Sequence, residues 1–416
     1  MSQQAAKPKL WTKYFIIACF AFLVGTTVNF MLDNTLTIYA GAVWNSNSIG
    51  SLLTTTFTAG SITAAVVSGA ISDRIGRRKV LVFGCACFCV GVGAMMLSTN
   101  VAFNLFCRVL QGIGKGIFGV AGMAIIADVI PRERTGEGMA FSGLGTTLAT
   151  AFGPMIGLAI ITDGNYTRLF STNTILMAIA VVLAALLNYE KREPYMSRIA
   201  ETKRLAQEQA AAAAPQKGIW KFFEKGAIPG SVVIFFYGAG TTCILVFETK
   251  FATEVLKVSH AGWYFTAAAI AMLVTQLLIG KIIDKRGVQG LVTLGLACGM
   301  LGVVLLITLG SNLIIYLICG VMYGLSMELI YPALSSAVML DSPQNRKGAA
   351  SALLTFMMDF GILVSSALMG VIVDKAGYIP MFITCLCFSA IGIVLTTLLL
   401  RNSVRAKRRA RMGLDG

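Results

Sequence analysis

Gly69-Ala-Ile-Ser-Asp73-Arg74-Ile-Gly76-Arg77-Arg78-Lys79 closes one apolar run, and Gly280-Lys-Ile-Ile-Asp284-Lys-Arg-Gly287 closes another, 211 residues further on. A second pair, Pro131-Arg-Glu-Arg134-Thr-Gly136 and Pro343-Gln-Asn-Arg346-Lys-Gly348, repeats at an offset of 212. Two motifs at nearly one spacing predict a duplicated unit. If each unit crosses a bilayer six times, an even number, the copies run parallel, and a solute site is expected between them near the midplane.

Outward from these motifs the chain is mostly apolar. Of 416 residues, 56% are hydrophobic and 13% charged, with 43 glycines and a mean hydropathy of +0.77. That excludes a disordered chain, a secreted disulfide scaffold and an ordinary cytosolic enzyme. Twelve apolar segments lie near 14–36, 48–72, 79–98, 101–127, 137–162, 169–189, 226–249, 261–283, 289–309, 312–340, 348–373 and 378–400. Each is long enough to cross a hydrocarbon core, which takes about 20 residues. The expected fold is an all-α integral membrane protein of twelve transmembrane helices in two six-helix pseudo-repeats around a central cavity. The expected divisions are an N-terminal bundle (1–189), a cytoplasmic linker (190–225), a C-terminal bundle (226–400) and a basic tail (401–416). The linker carries an alanine run, Ala210–Ala214, closed by Pro215.

Charge sets the orientation. With both termini inside, 28 of the 34 Lys and Arg fall on the inner side, four outside and two (Arg108 and Lys115) within the fourth span. This is the positive-inside pattern, expected for a multi-pass protein of the plasma membrane with both ends cytoplasmic. The net charge of +15 then reads as attraction to anionic headgroups rather than to nucleic acid, the tail Arg405–Arg411 included. The ten cysteines follow neither metal nor disulfide spacing and read as small packing residues. His260 is the lone histidine, which argues against a histidine metal site or triad. No G-x-x-x-x-G-K-[ST] loop is present, so ATP hydrolysis is not expected to drive anything here. No cofactor and no metal are expected, and the chain reads as a monomer.

Three motifs together resemble the major facilitator superfamily over nearly the whole chain: Gly69 through Lys79, Arg108-Val-Leu-Gln111-Gly112-Ile-Gly114, and Gly153-Pro154-Met-Ile-Gly157. The third is similar to the motif of proton-driven antiporters in the twelve-helix drug-exporter branch. The resemblance implies that the first loop gates the inner side, through Gly69, Asp73, Arg74, Gly76, Arg77 and Arg78, with Asp128 as the acid ending the fourth span and Asp284 as the equivalent in the second half. The residues have their own reasons. Gly69 is expected to let helices approach and Gly76 to allow a tight turn. Asp73 suits a helix start and the arginines suit phosphate or carboxylate partners. Pro154 cannot donate to the Thr150 carbonyl, so a bend is expected there, with Gly153 and Gly157 packing closely around it.

Ionisable groups at membrane depth are costly and read as functional. Asp33 in the first span, Glu328 in the tenth and Asp359 in the eleventh are the candidate proton carriers, Asp33 foremost. It sits in Met31-Leu-Asp-Asn-Thr, which resembles the acidic motif of drug antiporters. Arg108, Gln111 and Lys115 follow i, i+3, i+7 and share a helical face. With Asp33 and Glu328 they form the expected substrate cavity, where the two cations either meet an anionic or zwitterionic solute or pair with a carboxylate. Gly112, Gly116 and Gly119 fall on another face and read as packing. Glu248, at the mouth of the seventh span, reads as solvated. Desolvation raises a carboxylate pKa and a nearby cation lowers it, so a carboxylate whose cation comes and goes can exchange a proton near neutral pH. The leading expectation is a proton-coupled antiporter exporting small organic molecules. An uptake symporter is the nearest rival. A membrane enzyme and a non-transporting receptor are the more distant ones.

Overall fold

The computed structural model describes residues 9–131, 134–161, 164–193, 195–197, 199–201, 204, 208, 223–258, 261–342 and 346–411. Most of the linker, His260 and the last five residues lie outside them, as do the side chains of Asp73, Arg74, Asp284 and the tail from Arg401. The helices among the described residues are α1 (Lys13–Trp44), α2 (Asn47–Ile75), α3 (Arg77–Ala94), α4 (Val101–Val129), α5 (Thr135–Ile160) and α6 (Tyr166–Leu186), then α7 (Ile228–Thr242), α8 (Glu248–Glu254), α9 (Trp263–Leu309), α10 (Leu313–Asp341), α11 (Lys347–Ala376) and α12 (Tyr378–Arg411). Among the described residues, nine helical stretches are long and apolar enough to cross a membrane. Large apolar side chains such as Phe83, Val90, Phe106, Ile175 and Val394 are more than half exposed on the helix surfaces. Lipid is the solvent in which that surface costs nothing.

Two elements differ from the twelve simple spans expected. The seventh is broken: a π segment, Cys243–Phe247, separates α7 from α8. The eighth and ninth run on as one element, α9, interrupted at Gly287, where φ is 72° and ψ 162°. Its repeat partner Gly76, between α2 and α3, has φ 101° and ψ 136°. Both are left-handed values that favour glycine, so the duplication extends to the backbone. The next helix in each half confirms it: Asn100 caps α4 by accepting from Phe103 N, and Asn312, 212 positions later, caps α10 by accepting from Ile314 N and Ile315 N. Asparagine is among the best residues for this position.

By compactness the chain forms two units. Unit 1 takes the chain through Leu32 together with Ala59–Ala212, and unit 2 takes Asp33–Thr58 together with the chain from Ala213. Glycines bring helices of unit 1 close together. A Cβ at Gly114 of α4 would lie 2.7 Å from Gly84 O of α3, and one at Gly60 of α2 would lie 2.6 Å from Val109 O of α4. Gly116 meets Ser61 of α2 in the same way, but a Cβ at Gly119 would touch nothing within 4 Å. The close approach expected at Gly69 is likewise absent among the described residues, where its position faces open space. Among the described residues, unit 2 has two apolar cores. One gathers Phe247, Phe251, Tyr264, Tyr316 and Phe382, the other Ile234, Leu296, Ile330, Leu334 and Leu354.

Candidate functional site

The loop before α3 is tied to α4 and to the end of α6. Arg77 donates to Asp128 Oδ1 at 2.5 Å and to Ala124 O at 3.3 Å, and Tyr189 donates to Asp128 Oδ2 at 2.8 Å. Arg78 donates its backbone N–H to Glu190 Oε1 at 3.0 Å and its guanidinium to Ala185 O. The predicted acid at the end of the fourth helix therefore does pair with this loop, through Arg77. Glu190 was not singled out in the sequence, yet it occupies the space beside Gly76, 3.1 Å from where a Cβ would stand. Beside the latch lies a cavity of about 290 Å³ lined by Ser72, Gly76, Arg77, Glu190 and Met196, so the loop is not packed solid on every side.

In α4, Arg108 and Gln111 are fully buried and Lys115 is half-buried. Arg108 donates to Gln111 Oε1 at 2.8 Å, as the i, i+3 spacing predicts. The far end of Gln111 corrects the expectation of a substrate contact. Its amide nitrogen donates to Gly91 O of α3 at 2.8 Å and touches Met95 Sδ at 3.1 Å. Gln111 is thus spent on the α3–α4 seam, where Gly91 makes room for it, and what it does is hold the Arg108 guanidinium.

Gly153 packs as its motif requires. A Cβ there would lie 2.7 Å from Phe30 Cβ and 3.2 Å from Thr27 O of α1, so α5 presses on the turn of α1 just before Asp33. Pro154 lies inside α5, which runs through it. Asp33 falls in unit 2, while Arg108, Gln111 and Lys115 fall in unit 1. Asp33, Glu328 and Asp359 are each half-buried. Pro332 in α10, overlooked in the sequence, leaves the Glu328 carbonyl without its i+4 donor and adds an acceptor at that level.

Within unit 2 a polar cluster surrounds the end of α1 and the start of α2. The Asp374 carboxylate of α11 accepts from Ser46 Oγ at 3.2 Å, Asn47 N at 3.0 Å and Ser48 N at 2.8 Å. Lys250 of α8 donates to Asn47 Oδ1 at 2.6 Å and lies 3.7 Å from Glu254, and Gly41 leaves space for its ammonium. Thr37 of α1 donates to Val246 O at 2.8 Å, inside the π segment, and Thr55 of α2 meets Ser366 of α11 at 2.9 Å. All of these bonds lie within unit 2.

Glu248 overturns its expected solvation. It is fully buried, with Tyr316 Oη 2.5 Å from Oε1 and Thr249 Oγ1 3.2 Å from Oε2. The π segment is the physical reason. One extra residue in a turn rotates everything after it by roughly a quarter turn relative to an uninterrupted helix. The signal that could have found it is the run Glu248-Thr-Lys250 inside an otherwise apolar stretch.

Residues 14–230 and 230–413 each match the family model of the Major Facilitator Superfamily. The chain is 23% identical to the multidrug transporter protein MdtP of Bacillus subtilis over 89% of its own length and 76% of that protein. It is also 23% identical to the staphylopine export protein of Staphylococcus aureus, over 76% of its length and 79% of that protein. Among solved structures, a D-xylose–proton symporter superposes with a TM-score of 0.73 at 16% identity, covering 92% of this chain and 96% of that one. At that identity the likeness is one of fold.

Proposed function

This chain belongs to the Major Facilitator Superfamily, and on that premise we propose that it is a proton-coupled antiporter that exports small organic molecules by alternating access. It is a membrane transporter and not an enzyme. The observation that carries the reading is the contact of Gly153, in the motif similar to that of antiporters, with the turn of α1 that leads into Asp33. A helix that lacks one backbone hydrogen bond at Pro154 and is pressed against that turn can shift the surroundings of the Asp33 carboxylate as it moves. A changing environment is what a carboxylate needs in order to bind and release a proton. The names of MdtP and the staphylopine export protein support the export direction. Arg108 and Lys115 suit an anionic or zwitterionic solute. Asp33 is the first choice of carrier, with Glu328 and Asp359 after it. Asp73, Arg77 and Arg78 with Asp128 make the gate. The split of Lys and Arg supports a plasma-membrane protein with both ends cytoplasmic.

Proteoliposomes with an imposed pH gradient, a trapped pH dye and a panel of zwitterionic and anionic amphiphiles test this. The expected result is solute movement against proton movement, lost in Asp33→Asn. Gradient-driven exchange surviving in that variant, but lost in Glu328→Gln or Asp359→Asn, moves the carrier to the second half. Solute moving with the proton makes the protein a symporter.

A further inference from the structure

We infer that Glu248, hydrogen-bonded through Tyr316 to the carbonyl of Ala261, is a second proton-binding site, and that the π segment before it is the element whose change of register opens the site. It extends the reading as a proton-coupled transporter, but its own test does not require transport.

One hydrogen on Tyr316 faces two acceptors. Tyr316 Oη lies 2.5 Å from Glu248 Oε1 and 2.9 Å from Ala261 O, and a phenol has one hydrogen to give. If Glu248 is ionised, Tyr316 donates to it and forgoes Ala261, while a fully buried negative charge faces no cation among the described residues. If Glu248 is protonated, it donates to Tyr316 Oη and Tyr316 donates to Ala261 O, so both short contacts are hydrogen bonds and no charge is buried. A buried charge without a partner is strongly unfavourable, so the second arrangement holds. Thr249 can donate to Oε2 in either state.

The surroundings agree. From α9 and α10, the titratable side chains packed in the same core as the π segment are Tyr264, Tyr316, Cys319 and Tyr323, none of them a cation. The Tyr264 ring lies tilted against both other tyrosines, at centroid distances of 5.4 Å from Tyr316 and 6.0 Å from Tyr323. On the helix of Glu248 itself, Lys250 is committed to Asn47 and Glu254. The Tyr323 hydroxyl, in the same core, is buried with no hydrogen-bond partner among the described residues. Release is balanced: the Glu248 carboxylic acid gives H⁺ to water, Tyr316 turns its hydrogen from Ala261 O to the new carboxylate, and Ala261 O keeps the Tyr264 N–H.

The π segment provides the movement. It differs from an α turn by one residue, so a return to α would rotate Glu248 by about a quarter turn, out of the tyrosine pocket. One of its carbonyls, Val246 O, is held by Thr37 of α1, one helical turn beyond Asp33. Proton binding on α1 and at Glu248 thus act on a common hydrogen bond.

Infrared difference spectroscopy of the purified protein in lipid, with and without ¹³C-labelled glutamate, reads the proton directly. The expected result at neutral pH is a carboxylic-acid C=O band that shifts with the label, vanishes in Glu248→Gln and stays in Asp33→Asn. Gln keeps a donor for Tyr316 and so suits the site sterically. Tyr316→Phe is the second arm, and the band should shift as its hydrogen bond is removed. No acid band, a band that survives Glu248→Gln, or a band unmoved by Tyr316→Phe overturns the assignment. The band present in a protein that shows no proton-driven transport overturns the antiporter reading and leaves this one intact.

Discussion

Arg134 and Arg346 occupy the same place in the two halves and do different things. Each precedes its helix with nearly the same backbone, φ −126° and ψ 19° at Arg134 against φ −124° and ψ 10° at Arg346. Arg134 forks onto Glu137, three residues on, in an exposed pair. Those bonds hold its guanidinium pKa above the ordinary value. Arg346 reaches back 122 residues to Glu224 at 2.5 Å and to Phe223 O at 2.6 Å, in a pair that is mostly buried. The cause is a single position: where the first half has Glu137, the second has Ala349. Without an acid three residues on, the arginine fastens the end of the linker to the loop before α11. The first half places its buried latch elsewhere, on Arg77 with Asp128, and the residue at that position of the second half is Val288. Duplication has preserved the backbone while the clasps have moved.

The comparison can be broken by removing each arginine in turn. Arg77→Ala should cost most, about 1.5–3 kcal/mol, since it strands a mostly buried Asp128 with Tyr189. Chemical unfolding in mild detergent measures it. A loss no larger than that of Arg134→Ala would mean that the latch is not formed in solution. Arg346→Ala should cost near the lower end of the same range, about 1.5 kcal/mol. Its sharper form is a rescue: Ala349→Glu should restore part of the stability lost in Glu224→Ala by giving Arg346 the local partner that Arg134 has. No rescue would show that the identity of residue 349 does not decide where the arginine goes. Arg134→Ala should fall within the scatter of the measurement, because an exposed pair one turn apart contributes little.

The helices and their duplication were legible because bilayer length and hydropathy act on each segment separately, and because Gly76 and Gly287 meet the same steric demand. The pairing of Arg108 with Gln111 was legible for the same local reason. Glu248 was not. Its burial depends on a π turn that hydropathy does not register, and on Tyr316, 68 residues away. Gln111 was misread because a helical face says which residues lie together but not which neighbour they meet. The pattern of charges singled out Asp33 and Glu328 as candidates, but nothing in it pointed to Asp374, whose partners include backbone N–H groups at the start of another helix.

That last contact has a kinetic meaning. The first turn of α2 takes acceptors for its amides from α11, through both oxygens of Asp374. Whenever α11 withdraws, Asn47 and Ser48 lose these acceptors together and their amide hydrogens become free to trade with solvent. The exchange rate of those two hydrogens is therefore a clock for the departure of α11, readable with no substrate present.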